Sequence, residues 1–171
     1  MPLKGLMQDK IKFVNSPVIV YFAAPLFTQA EWNWNELLSR RLEELKLKII
    51  LPQERARPML SGTATFSAKQ LFRGNVGDIG KANVILAVLD QADPDSGTCW
   101  ECGYAYKLGI PIIGLKTDIR GASDAPGVRT NLMLDCCCSQ FIQVPLSRRN
   151  DVDWVAQMVE KAISRQFERR A

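Results

Sequence analysis

The sequence contains no histidine, and that absence excludes a good deal. Ser-His-Asp and Cys-His nucleophilic catalysis both need an imidazole base. A zinc site would have to be built from cysteines and carboxylates alone. General acid–base work therefore falls to Asp, Glu, Tyr, Lys or Cys. No apolar run approaches the ~20 residues that cross a bilayer, so no membrane association is expected. The N-terminal segment MPLKGLMQDKIKFVNS carries scattered charges and lacks the apolar core of a signal peptide. A cytoplasmic protein is expected, with its five cysteines as reduced thiols.

Charge of one sign is also scarce. The net charge is +4, from 22 basic and 18 acidic side chains, and no basic stretch is interleaved with stacking aromatics. A nucleic-acid surface is therefore not expected. Part of the basic excess stands in Arg165, Arg169 and Arg170, where it complements the dipole of a closing helix. Repeats and linkers are absent. The 171 residues, 47% of them hydrophobic, fit one domain over residues 1–171.

What is present is an alternation of strands and helices. Val18 to Ala24 is a continuous β-favouring apolar run, typical of a strand buried on both faces. A helix from Thr28 to Leu45 follows, with Trp34, Leu37, Leu38, Leu42 and Leu45 at helical spacing. Lys48 to Leu51 is a short strand and Pro52 to Phe66 a long loop. Ser67 to Ala82 forms a helix despite Gly74, Gly77 and Gly80. Val84 to Leu89 is a strand, Asp90 to Gly97 a polar turn, and Thr98 to Leu108 a helix closed by Gly109. Ile110 to Leu115 is a strand, Lys116 to Thr130 a second long loop, and Asn131 to Cys138 a short helix. Gln140 to Val144 is the last strand and Asp151 to Arg165 the last helix. This order predicts a three-layer α/β fold: a five-stranded parallel sheet with helices on both faces. Ligands then bind outside the C-terminal ends of the strands.

The densest chemistry there is Asp90 to Tyr106, which gathers Asp90, Asp93, Asp95 and Glu101. Crowded carboxylates push one another's pKa values apart, so an acid and a nucleophile can coexist. Glu101 near a helix start suits a nucleophile, and Asp95 in the preceding turn suits a proton donor. The same letters allow a structural reading. Thr98 to Glu101 matches a capping box, in which the glutamate would fold back on the cap. Spacing leaves both open. Cys99 and Cys102 form a C-x-x-C at a helix start, and with Cys136 to Cys138 offer dithiol or thiolate-metal chemistry. Against that, free cysteine is commonly a small buried hydrophobe, and no metal is expected. The run Gly74 to Lys81 is neither G-x-G-x-x-G nor a Walker loop; its glycines favour close helix packing. Tyr21, towards the end of the first strand, is by default a packing aromatic, but its hydroxyl would point towards the same cleft. Asn131 fits a helix cap, and Met133 is most simply a core residue.

In combination, these segments resemble the nucleoside 2-deoxyribosyltransferase family. They are Val20 to Glu31 (VYFAAPLFTQAE), Leu51 to Gln53, Ala82 to Arg120 with its D-x-G-T-x-x-E element, and Asn131 to Leu134 (NLML). The resemblance implies a flavodoxin-like parallel sheet and base exchange on 2'-deoxynucleosides without a cofactor. It implies Glu101 as the nucleophile, Asp95 as the group handling the nucleobase proton, and Tyr21 as the residue orienting Glu101. It also implies that Asn131 reaches the sugar from a neighbouring subunit, with Met133 close by. The expected partners are a 2'-deoxynucleoside, a free nucleobase and further copies of the chain, as a dimer or hexamer with shared sites. Some members carry another aspartate on the helix before the third strand. Asn75 stands there, with Asp78 a turn later. Gln53 and Phe27 complete the candidate substrate contacts.

Such chemistry passes through an oxocarbenium-like transition state and a covalent glycosyl-enzyme, with retention. Water in place of the second base makes the enzyme a hydrolase, and the long loops are candidates for excluding it. An N-glycosidase of nucleoside 5'-monophosphates would need a phosphate cradle after the first strand. Ala24 to Gln29 there is apolar and uncharged, which favours free nucleosides. A non-catalytic nucleoside-binding module and a redox protein are the alternatives from other classes.

Overall fold

The computed structural model describes residues 17–121 and 123–168; the N-terminal segment, Arg169 and Arg170 lie outside them. A five-stranded sheet is formed by β1 (Ile19–Ala23), β2 (Lys48–Ile50), β3 (Val84–Val88), β4 (Ile112–Lys116) and β5 (Gln140–Gln143). All the pairs are parallel and the order is β2-β1-β3-β4-β5. The helices are α1 (Gln29–Glu44), α2 (Pro52–Leu60), α3 (Ala68–Ile79), α4 (Ser96–Lys107), α5 (Leu132–Cys137) and α6 (Val152–Glu168). The expected parallel α/β architecture is thus observed. Among the described residues no helix is long and apolar enough to cross a membrane.

Successive strand side chains point to opposite faces, and this divides the core in two. Val20, Phe22, Leu86 and Leu115 face one way and pack with Leu38 and Leu42 of α1 and Val159 and Ile163 of α6. Tyr21, Ala23, Ile85 and Ile112 face the other way and pack with Cys102 and Ala105 of α4 and Leu134 of α5. Because β1 alternates, Tyr21 is committed to the α4 face. β1 and β3 are buried on both faces, as their unbroken apolar sequences require. Gly109, with φ +73°, follows the C-cap Leu108 and turns the chain into β4, as expected.

Three expectations change. The segment after β2 is not a long loop, because its first part folds as α2. Pro52 takes the first helical turn, where its missing N–H costs nothing, and Gln53, Glu54, Arg55, Ala56 and Arg57 are all able helix residues. Pro58 lies inside this helix, and its carbonyl accepts the Thr63 and Ala64 N–H groups that end it. Helix α4 begins at Ser96, with Asp95 as its N-cap. Finally, Asp90 is not part of a carboxylate cluster. Its oxygens accept from the Thr117 N–H and hydroxyl, both at 2.6 Å, and from the Asp118 N–H at 2.8 Å.

Candidate active site

Helix α4 runs back along the sheet, so its N-terminus stands at the carboxyl ends of the strands. The turn that delivers it is held firmly. Asp90 fastens it to the loop after β4, and the Gln91 N–H donates to Asp118 Oδ2 at 3.0 Å. Gln91 itself adopts φ +77°, which costs a non-glycine residue on the order of 1 kcal/mol or more. Asp95 Oδ2 then accepts from the Thr98 N–H at 2.8 Å and the Thr98 hydroxyl at 3.1 Å. With Thr98 buried against Asp95, there is no capping box in α4, and Glu101 is free of that role.

Glu101 turns instead to the sheet. The Tyr21 hydroxyl donates to Glu101 Oε1 at 2.5 Å. Burial raises the Glu101 pKa, the Tyr21 hydrogen bond opposes that, the Asp95 charge adds to it, and the result is about 7. Burial also drives Tyr21 well above the usual phenol range, helped by the charge and hydrogen bond of Glu101. The phenol therefore stays protonated and remains a donor. The arrangement is a poorly solvated carboxylate, oriented by one strong donor, that changes protonation state near neutrality. Such a group serves as a nucleophile when ionised and as an acid when protonated.

The remaining candidates fall into three places. On α3, Asn75 is half-buried and Asp78 is buried. Asp78 pairs with Arg55 of α2 and, at 2.8 Å, with Lys81. Burial pushes its pKa up, but the hydrogen bonds from Lys81 and Arg55 prevail and hold it below the usual carboxylate range. Gln53 is fully buried; it accepts from Asn35 at 3.1 Å and donates to the Trp32 carbonyl at 3.2 Å, tying α2 to α1. Phe27 projects from the turn after β1 and is 76% exposed. At the other end, Asn131 caps α5, its Oδ1 accepting the Met133 N–H at 3.0 Å. Its Nδ2 donates to Asp124 at 2.8 Å. Met133 is 75% exposed, so it is not the core residue that pattern alone suggests.

Arg55 was missed by sequence reasoning. The signal available was Gly74: an added Cβ there would lie 2.7 Å from the Arg55 side chain, which crosses this glycine to reach Asp78. All five cysteines are free. Cys102 is fully buried beside Ala105 and Leu134, and Cys99, Cys137 and Cys138 pack partly against the same cluster. Among the described residues no cluster of His, Cys, Asp and Glu is arranged to hold a metal ion.

Sheet order and layers define a flavodoxin-like α/β protein with a carboxylate–phenol pair between β1 and α4. Residues 20–133 match the profile of the family described as Nucleoside 2-deoxyribosyltransferase, and the chain belongs to that family. The family is enzymatic and acts on nucleosides and nucleobases. The fold resembles the 2-deoxyribosyltransferase of Bacillus psychrosaccharolyticus, with TM-score 0.62, 22% identity, and 80% of this chain and 90% of that one covered. It also resembles a 2-deoxyribosyltransferase of Leishmania mexicana, with TM-score 0.58, 23% identity, and coverage of 73% and 90%. A CMP N-glycosidase of Clostridium botulinum aligns with TM-score 0.56, 19% identity, and coverage of 84% and 98%. No curated protein sequence matches the chain.

Proposed function

We propose that the protein exchanges the nucleobase of a 2'-deoxynucleoside through a covalent 2-deoxyribosyl ester on Glu101, with retention at C1'. The observation that carries this reading is the Tyr21–Glu101 hydrogen bond on a poorly solvated carboxylate. Ionised Glu101 attacks C1' from the face opposite the base. Tyr21 holds the attacking carboxylate and shares its charge. The base departs with a proton, a second base attacks the ester, and configuration is restored.

Asp95 is the proposed proton carrier for the base. One of its oxygens is occupied by Thr98, leaving Oδ1 for substrate. Asp95→Asn keeps an acceptor at the cap and is expected to melt like the wild type while base exchange falls about 100-fold. Asp95→Ala, which loses the cap as well, should lose about 1 kcal/mol of stability in addition. Equal exchange rates for Asp95→Asn and wild type would remove Asp95 from the mechanism.

Asn131 and Met133 stand on the exposed end of α5, consistent with a contact to the sugar in a neighbouring subunit's site. Mixing inactive Glu101→Gln and Asn131→Ala subunits then tests the shared site. If sites are shared across a dimer, mixing restores up to about a quarter of wild-type activity. No restoration would place each site within one subunit.

The apolar turn Ala24 to Gln29 after β1 favours nucleosides over their 5'-monophosphates, since it offers no charged side chain to a phosphate. The test is chromatographic: purified protein with a deoxynucleoside and a different free base. New deoxynucleoside is the expected product. Free base without new nucleoside would make the protein a hydrolase, and no turnover would make it a binding module.

A further inference from the structure

Cys99, Cys102, Cys137 and Cys138, all free thiols, meet where α4 packs on α5. Cys99 and Cys102 stand one turn apart on α4, Cys137 ends α5 and Cys138 is its C-cap. Cys102 is fully buried in one cluster with Leu134. The sulfurs of Cys137 and Cys138 lie 3.2 and 3.1 Å from the Leu134 carbonyl oxygen. None of these thiols is used in the base exchange proposed above.

The four are not equivalent. Cys99 donates to the Pro94 carbonyl at 3.5 Å, at the start of α4. Cys138 is turned onto β4, where a Cβ added at Gly114 would lie 2.9 Å from its sulfur. Cys137 is partly exposed and has the Cys102 thiol of the facing helix within hydrogen-bonding reach. Hydrogen bonds from Cys102, and then from Cys138, favour the Cys137 thiolate and outweigh the opposing effect of burial. The same bond, and then burial, hold Cys102 above the usual thiol range. A partly exposed thiolate with a second thiol beside it is the pairing that oxidants convert to a disulfide. Cys137 and Cys138 suit this less as a pair. One peptide unit holds their Cα atoms ~3.8 Å apart, short of the ~4.4 Å or more that a disulfide spans.

We infer that Cys102 and Cys137 form a reversible disulfide between α4 and α5 when the protein meets a hydroperoxide. The Cys137 sulfur attacks one peroxide oxygen, the O–O bond breaks, and a sulfenic acid and water result. The Cys102 sulfur then attacks the Cys137 sulfur, the S–O bond breaks, and the Cys102 proton leaves with the hydroxyl as a second water. The two sulfurs give up two electrons, which reduce one hydrogen peroxide to two waters. The new bond draws the sulfurs from contact to about 2 Å, and Cys102 is the residue after Glu101. Displacing a reacting group by about 1 Å costs a rate about a hundredfold. Oxidation is therefore expected to lower base exchange, a consequence that, unlike the disulfide itself, rests on the base-exchange reading above.

The full chain, reduced beforehand, is treated with hydrogen peroxide, its remaining thiols are alkylated, and the unreduced digest is read by mass spectrometry. The expected product joins the α4 peptide to the α5 peptide within one chain, and dithiothreitol removes it. Cys102→Ala and Cys137→Ala should each lose the link, while Cys99→Ala and Cys138→Ala keep it, with thermal melting checking that each variant folds. Cys137→Ala is the safer variant, because that position is partly exposed where Cys102 is core. A link that survives in Cys137→Ala, a bond only between two chains, or overoxidation of Cys137 without any link would overturn the inference. Oxidised wild type should lose base exchange about tenfold or more and regain it with dithiothreitol, and Cys137→Ala should keep its activity in peroxide. A disulfide that leaves exchange unchanged would overturn the coupling to Glu101. No turnover even before oxidation would overturn base exchange and leave the disulfide standing.

Discussion

Glu101→Gln is expected to abolish turnover while raising stability in alkaline solution. Loss of a glycosidase-type nucleophile should lower kcat by about a thousandfold or more. The stability effect follows from the protonation balance. The Glu101 pKa rises from 4.5 to about 7 on folding, chiefly through burial. A raised carboxylate pKa favours the folded state below the unfolded value, and that contribution is lost as pH rises through the folded value. The native wild type therefore binds more protons than the unfolded chain between about pH 4.5 and 7, and ionising Glu101 above that window costs about 3 kcal/mol. Glutamine keeps an oxygen for the Tyr21 hydroxyl and is never ionised. Thermal melting at pH 8 should thus place the variant above the wild type. A variant that melts lower at pH 8, or that turns over normally, would contradict the role assigned to Glu101.

Tyr21→Phe should produce the second-largest effect, and of a different kind. The hydroxyl is the donor that opposes the burial-driven rise of the Glu101 pKa. Without it the carboxylate ionises less readily. A hydrogen bond to a charged group is worth enough to lower kcat/KM about 10- to 100-fold near neutrality. The pH profile separates this from damage to packing. In the wild type kcat/KM falls as pH drops below about 7, where Glu101 takes up its proton. In Tyr21→Phe that fall should begin at higher pH, so part of the loss is recovered in alkaline solution. An unchanged pH profile with uniformly lower activity would assign Tyr21 to packing, since its ring also fills the core between β1 and α4.

The parts of the molecule that were legible in the sequence share a physical cause. β1, β3 and β4 are continuous apolar runs because helices cover both faces of a parallel sheet, and that constraint leaves a mark on every residue. Gly109 was legible because a left-handed residue after a helix favours glycine. Helix α2 was obscured by Pro52 and Pro58, which read as loop punctuation but tolerate this short helix. The start of α4 was ambiguous because Asp95 and Thr98 are both competent caps. Only tertiary placement decides between them, and it does so by burying Thr98 against Asp95. That choice releases Glu101 from the helix end and turns it towards Tyr21, 80 residues away in sequence. The Arg55–Asp78 pair left only an indirect mark, Gly74, because nothing local in the sequence of α2 indicates which residue of α3 it will meet. Met133 misled for a related reason: a methionine in an apolar stretch reads as core, yet the helix it sits on presents it outward.

The most direct test of covalent catalysis is to trap the intermediate. The protein is incubated with a 2'-deoxynucleoside and no acceptor base, quenched in acid, digested and sequenced by mass spectrometry. The account predicts a 2-deoxyribosyl adduct on the Glu101 peptide, absent from Glu101→Gln and discharged when a free base is added before the quench. An adduct on another residue, or base release in which no adduct ever forms, would contradict it.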